Sequence, residues 1–154
     1  MDVVVGLVAF SICIGALVHL VFTDVRKRII PRKDCYLIAL CGSLLQLGIK
    51  GLHAWLTGLG FGLVALLFCL SVEKVARRFS LRSNVLGGGD IRLIVALSLA
   101  SGPYALWGAF GAALAALLWA LAGIATSRLS LADTFPMAPC LACWPLASLG
   151  ISLL

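Results

Sequence analysis

The sequence predicts an all-α, polytopic membrane protein of about six transmembrane helices, and three observations predict it. Of the 154 residues, 62% are hydrophobic and only 12% charged, with a mean hydropathy of +1.14, far more apolar than an ordinary soluble domain. The apolar residues gather into segments approaching the ~20 residues that cross a bilayer core of ~30 Å. The basic residues, which give a net charge of +6, cluster in alternate connections, the arrangement that orients a membrane protein.

The first segment, residues 3–22, has Asp2 as its only early charge and no small-residue cleavage pattern after it, so it is expected to be a retained span rather than a signal peptide. The others are residues 35–49, 54–72, 91–102, 104–125 and 135–154. The second and fourth are short and are expected to extend into neighbouring polar or Gly-rich residues, or to sit against protein and water instead of lipid. Residues 1–154 then form a single integral-membrane domain. Nucleic-acid binding is excluded on composition, since no basic stretch has interleaved aromatics or a compact fold to present it.

The connection "TDVRKRIIPRKD" carries Arg26, Lys27, Arg28, Arg32 and Lys33, and "EKVARRFSLRSN" carries Lys74, Arg77, Arg78 and Arg82. Both are expected to be cytoplasmic, as is Arg128 in the fifth connection. The opposite connections hold only Lys50 with His53, and "SGP". Six spans with both termini outside the cytoplasm satisfy this pattern. Asp24, at the end of the first span, and Asp90, at the start of the fourth, then share one membrane depth.

Ionisable groups at the hydrocarbon boundary are costly and are kept where they pair, line water or do chemistry. Taken alone, Asp24 could be an interfacial residue beside Arg26 and Arg28, and Asp90 a helix N-cap. Together they form a candidate acid–base pair, because mutual repulsion keeps one carboxyl protonated while the other is ionised. The ionised member can take a proton from attacking water and the protonated one can donate to an amide carbonyl; the pair titrates as a unit. In "VLGGGDIRLIVAL", Gly87, Gly88 and Gly89 lead into Asp90. A protease at a membrane must hold its substrate extended, and residues without Cβ let backbone approach backbone. The alternative is a turn or close helix contact of the kind common in membrane proteins.

These residues resemble a known family. "GGGD" followed by "IRL" is similar to the GxGD signature of type IV prepilin peptidases, and "DVRKRIIP" resembles the segment around their first catalytic aspartate. "FPMAP" is similar to a Pro-containing stretch that opens the family's last helix. The resemblance implies an aspartic endopeptidase of the bacterial inner membrane that removes a short basic leader from prepilins or pseudopilins. It makes Asp24 and Asp90 the catalytic pair, Gly87 and Gly89 the signature glycines, and Gly88 the variable position. Arg92 stands where many members have Lys, preserving the charge but not its geometry, and is a candidate substrate contact; Arg32 stands where many have Asn. Longer members carry paired CxxC motifs linked to zinc and to N-methylation. Here the CxxC of Cys140 and Cys143 lies inside an apolar segment without a second pair, and a structural zinc site needs four ligands. No metal, no cofactor and no methyltransferase domain are therefore expected, and the six cysteines are expected to be buried helix residues rather than a disulfide framework. The short form resembles the peptidases of tight-adherence (Flp) pili.

Other polar residues receive structural expectations. His19, five residues from Asp24, lies on a different helix face and is expected to hydrogen-bond between helices. Asp34 and Asp133 are expected to be N-caps, with Asp133 the reserve candidate for catalysis. Glu73 and Arg77 have the spacing of a helical ion pair and suggest a short interfacial helix over residues 73–82 that anchors to anionic headgroups. The tryptophans near span ends fit an interfacial belt. The rival functions are a presenilin-like intramembrane protease, and a proton-coupled transporter or assembly subunit, for which no inverted repeat is found.

Overall fold

The computed structural model describes residues 3–78, 87–126 and 137–152, which are helical with short connections and contain no strand. The elements are α1 (Val3–Lys27), α2 (Arg32–Ile49), α3 (Gly51–Arg78), α4 (Gly88–Ser101), a 3-10 turn (Gly102–Tyr104), α5 (Ala105–Ala125), α6 (Ala138–Leu141) and α7 (Cys143–Ser152). Three helical stretches are long and apolar enough to cross a membrane: Val4–Lys27, Gly51–Val75 and Gly88–Ala125, the last running through the 3-10 turn. At ~1.5 Å per residue, α2 alone is about 27 Å long and α4 about 21 Å. Both match the short segments of the sequence, and α2 does extend into the polar residues before Cys35.

Membrane solvation explains which faces are buried. Large apolar side chains stand outward along α3 (Leu63, Val64, Leu67, Phe68) and α5 (Phe110, Leu117, Leu118, Leu121), where water would make them an aggregation surface and lipid makes them the natural exterior. The interior is built from Leu20, Ile38, Leu93 and Leu97 with Ser98, each fully buried. The order of packing is α1 on α2, α2 on α4, α4 on α3, and α5 on α7, with α6 touching both α1 and α4. Small residues let these helices approach closely: a Cβ on Gly42 would overlap Ala100, and one on Gly108 would overlap the Trp144 indole.

Two departures from the sequence expectations have physical causes. The final segment is not one continuous helix. Pro139 stands in the first turn of α6 and Pro145 in the first turn of α7, where a proline is tolerated because its N–H would be unpaired anyway, so the chain restarts at Cys143 after Ala142. Residues 73–78 do not form a separate interfacial helix either; they continue α3 without a break. The remainder of that expected helix, and the Arg77 side chain, lie outside the described residues.

Two connections fix the site's surroundings. Gly102 has φ +58°, and a Cβ there would stand 2.7 Å from Gln46 Oε1 and 3.0 Å from the Ala54 carbonyl, so only glycine fits the turn that ends α4. Arg28, with φ +53°, closes α1 by donating its N–H to the Asp24 carbonyl at 2.8 Å, the left-handed helix stop that glycine usually supplies. Arg28→Gly is expected to preserve the turn and raise stability by up to about 1 kcal/mol, readable as a higher midpoint of thermal unfolding in detergent.

Candidate active site

Asp24 sits in the last turns of α1, buried at 6% exposure. Its Oδ2 accepts the backbone N–H of Ala138 at 3.0 Å, so the carboxylate satisfies a free donor at the N-terminus of α6 across 114 residues of sequence. A carboxylate and a helix N-terminus suit each other in both hydrogen bonding and charge. Asp90 is the third residue of α4. Its carboxylate accepts the N–H of Gly87, while the Gly87 carbonyl accepts the N–H of Ile91 at 3.2 Å. The N-cap of α4 is therefore Gly87, and Asp90 reaches back to it as the acidic member of a capping box does. Asp90 is not the N-cap itself.

The fold brings these two carboxylates together. α1 and α4 are held on either side of α2, with α6 touching both, and the charge of Asp24 acts directly on Asp90. Among the described residues, each carboxylate takes its hydrogen bond from a backbone N–H and the two interact through space.

The three glycines differ in role. A Cβ on Gly87 would stand 2.7 Å from Asp90 Oδ2, leaving no room for the carboxylate's return to the cap; a Cβ on Gly89 would stand 2.8 Å from Ile30 Cβ; a Cβ on Gly88 would meet nothing within 4 Å. Gly89 lets the α1–α2 connection lie directly against α4, which fixes Asp24's helix relative to Asp90's. Gly88, the variable position of the resemblance, faces open space. Gly89→Ala is expected to push Ile30 aside and lower activity about 10-fold, since small displacements at a reacting centre cost heavily. Gly88→Ala should stay within about two-fold, and a comparison of initial cleavage rates checks both.

Arg92 is exposed and acts electrostatically on Cys35, as does Asp90. The buried Cys35 at the start of α2 therefore borders the site, a neighbour that sequence spacing gave no means of finding. Another unforeseen pairing lies beside it. Asp34 is not an N-cap: that place belongs to Pro31, and Asp34, 8% exposed, meets His19 Nδ1 through Oδ2 at 2.7 Å. The expectation that His19 bonds between helices holds, and Asp34 is the partner. The pair ties α1 to α2 just where α1 presents Asp24. His19→Ala should leave a buried carboxylate without its partner and cost about 1–3 kcal/mol, measured by chemical unfolding in detergent. Asp133, the reserve candidate, lies outside the described residues. Among the described residues no group of three or more His, Cys, Asp or Glu could hold a metal ion. All six cysteines are free.

Compared with known proteins, residues 11–128 match the model of the type IV leader peptidase family. That span contains both aspartates, the three glycines and Arg92. No curated protein matches. No solved structure matches either.

Proposed function

Because this chain belongs to the type IV leader peptidase family, we propose that it is a membrane-embedded aspartic endopeptidase in which Asp24 and Asp90 activate water to cut the leader from type IV prepilins or pseudopilins, including Flp-like ones. The observation that carries this reading is the pair itself. Two carboxylates from distant parts of the chain interact electrostatically, each taking a hydrogen bond from a backbone N–H, in a predominantly apolar molecule.

The chemistry follows from two carboxyl groups that share one proton. The ionised carboxylate accepts a proton from water as the water oxygen bonds to the scissile carbonyl carbon. The protonated partner gives its proton to the carbonyl oxygen, producing a neutral gem-diol. Collapse of that intermediate breaks the C–N bond as the proton taken from water passes to the departing amine and one gem-diol hydroxyl returns its proton to the carboxylate that had protonated the carbonyl oxygen, restoring the shared-proton pair. The carboxyl of the leader and the new amino terminus are the products. The orienting N–H groups of Gly87 and Ala138 keep both carboxylates aimed without blocking their second oxygens. Gly87, Gly88, Gly89 and Arg92 form the substrate-facing rim in this reading, with Gly88 the position open enough for a passing backbone.

The charge pattern of the connections supports six spans in the cytoplasmic membrane, both termini outside and the aspartates at the cytoplasmic face. Residues 1–154 act in this reading as one peptidase domain that uses no metal or cofactor. The test is cleavage of a purified prepilin by the protein in liposomes, with the product termini read by mass spectrometry. Release of an intact leader supports the reading. A precursor that stays whole under wild-type enzyme, or cuts scattered within its hydrophobic helix, would sink it.

A further inference from the structure

Between α1, α2, α4 and α7 lies a cavity of about 350 Å³, within the range of small-ligand sites. It is separate from the aspartates. Cys35, in the first turn of α2, feels the charge of Asp90, and the run from Cys35 to Lys50, at the cavity's rim, is about 22 Å long. The cavity therefore opens toward the opposite membrane face.

Its wall is graded from apolar to polar along α2 and from α4 into the 3-10 turn, while α1 contributes Phe10, Cys13 and Leu17. Along α2 the lining passes from Gly42 and Leu45 through Gln46 to Lys50 at its C-cap, and along α4 from Leu97 to Ser101 and on to Tyr104 in the 3-10 turn. At the polar end the Lys50 ammonium lies 4.1 Å from the centre of the Tyr104 ring, and the buried hydroxyls of Ser101 and Ser148 face each other at 3.4 Å. Gln46 donates to the Ala100 carbonyl at 2.7 Å, yet its buried Oε1 has no hydrogen-bond partner among the described residues. Among the described residues no acidic side chain lines the cavity. An apolar shaft capped by one cation, a phenol and hydroxyls is complementary to an amphiphile with a negative head.

We propose that this cavity binds one acyl chain of an anionic phospholipid from the leaflet opposite the aspartates, with its phosphate against Lys50. Charge complementarity selects this occupant over a bare hydrophobic helix, which would bring no anion to the Lys50 ammonium at the rim. Partial burial lowers the pKa of the Lys50 ammonium below the ordinary lysine range, and an adjacent phosphate would offset that shift. The lipid would wedge α1 against α2 and α4, so its occupancy bears on how the outer half of the bundle is spaced.

The experiment uses the full chain in phosphatidylcholine nanodiscs doped with phosphatidylglycerol or phosphatidylcholine carrying a diazirine at the acyl terminus. After photolysis, adducts are mapped by mass spectrometry. Phosphatidylglycerol should label the peptides containing Leu17 and Leu97 about five-fold more than phosphatidylcholine, the scale of one lysine beside an anionic headgroup. Lys50→Gln should remove that preference, and Leu45→Trp should lower labelling by both lipids. Equal labelling by the two lipids at these peptides, or labelling no greater there than on the outward face of α5, would overturn the proposal. So would displacement of the adducts by an added prepilin, which would assign the cavity to the substrate's helix. Cleavage is not the readout, so failure of the peptidase reading would leave this result intact.

Discussion

Asp90→Asn, reconstituted beside wild type at equal protein, is expected to leave a type IV prepilin full length, with kcat lower by roughly 10³-fold or more. Asparagine keeps the shape of the side chain and can still accept the Gly87 N–H, so the first turn of α4 survives. What it cannot do is take or give a proton, and the pair is left with one titrating member. Asp24→Asn is expected to lose activity to the same degree with an added structural effect. Its bond to the Ala138 N–H joins α1 to α6, whereas the Asp90 bond lies within its own turn. Replacing a charged acceptor by a neutral one roughly halves such a bond, so Asp24→Asn should also unfold about 1 kcal/mol earlier, while Asp90→Asn should stay close to wild type. Single-turnover cleavage followed by gel, with thermal unfolding of the same samples, reads both quantities. Wild-type cutting by either variant would remove the aspartate pair from the mechanism. The test would then pass to Asp133→Asn.

The sequence carried the membrane character, and put forward the two aspartates whose charges interact in the fold, because both readings rest on coarse physics. Apolar segments of span length and alternating basic connections are one-dimensional signals, and two acids at the same depth follow from them by counting. The finer contacts were not legible, for a reason visible in each case. Asp34 has the local look of an N-cap, and only the packing of α1 on α2 reveals His19 as its partner. Gly89 was weighed as room for a substrate backbone, whereas the nearest thing it makes room for is Ile30; a missing side chain records a close approach but not what approaches. The split between α6 and α7 was signalled by Pro139 and Pro145, yet an apolar run of that length outweighs two prolines in any window average. Residues 73–78 of the expected interfacial helix extend α3 instead, since helix propagation costs less than a new start.

A large stability effect is expected at Gly58, where α3 crosses α4. A Cβ there would stand 2.8 Å from the Ser98 carbonyl oxygen and 2.9 Å from the Gly102 Cα. Both are backbone atoms, and neither can rotate away as a side-chain tip could. Gly102 is itself fixed by its positive φ and by Gln46 and Ala54 against it, so the strain cannot be passed along α4. Gly58→Ala should therefore force α3 outward and destabilise the bundle by about 1–3 kcal/mol. Two positions on the same helix act as controls. Gly62 would place its Cβ 3.6 Å from Ser98 Cβ and Val95 Cγ1, an ordinary contact, and Gly60 would meet nothing within 4 Å. Gly62→Ala should change stability little, and Gly60→Ala should raise it by up to about 1 kcal/mol through helix propensity alone. Unfolding of the three variants in one detergent separates the packing effect from propensity, since propensity predicts the same gain at all three sites. An equal gain at Gly58 would mean that α3 and α4 do not approach at this crossing, and with it would go the register that sets α4, and Asp90 at its start, against the rest of the bundle.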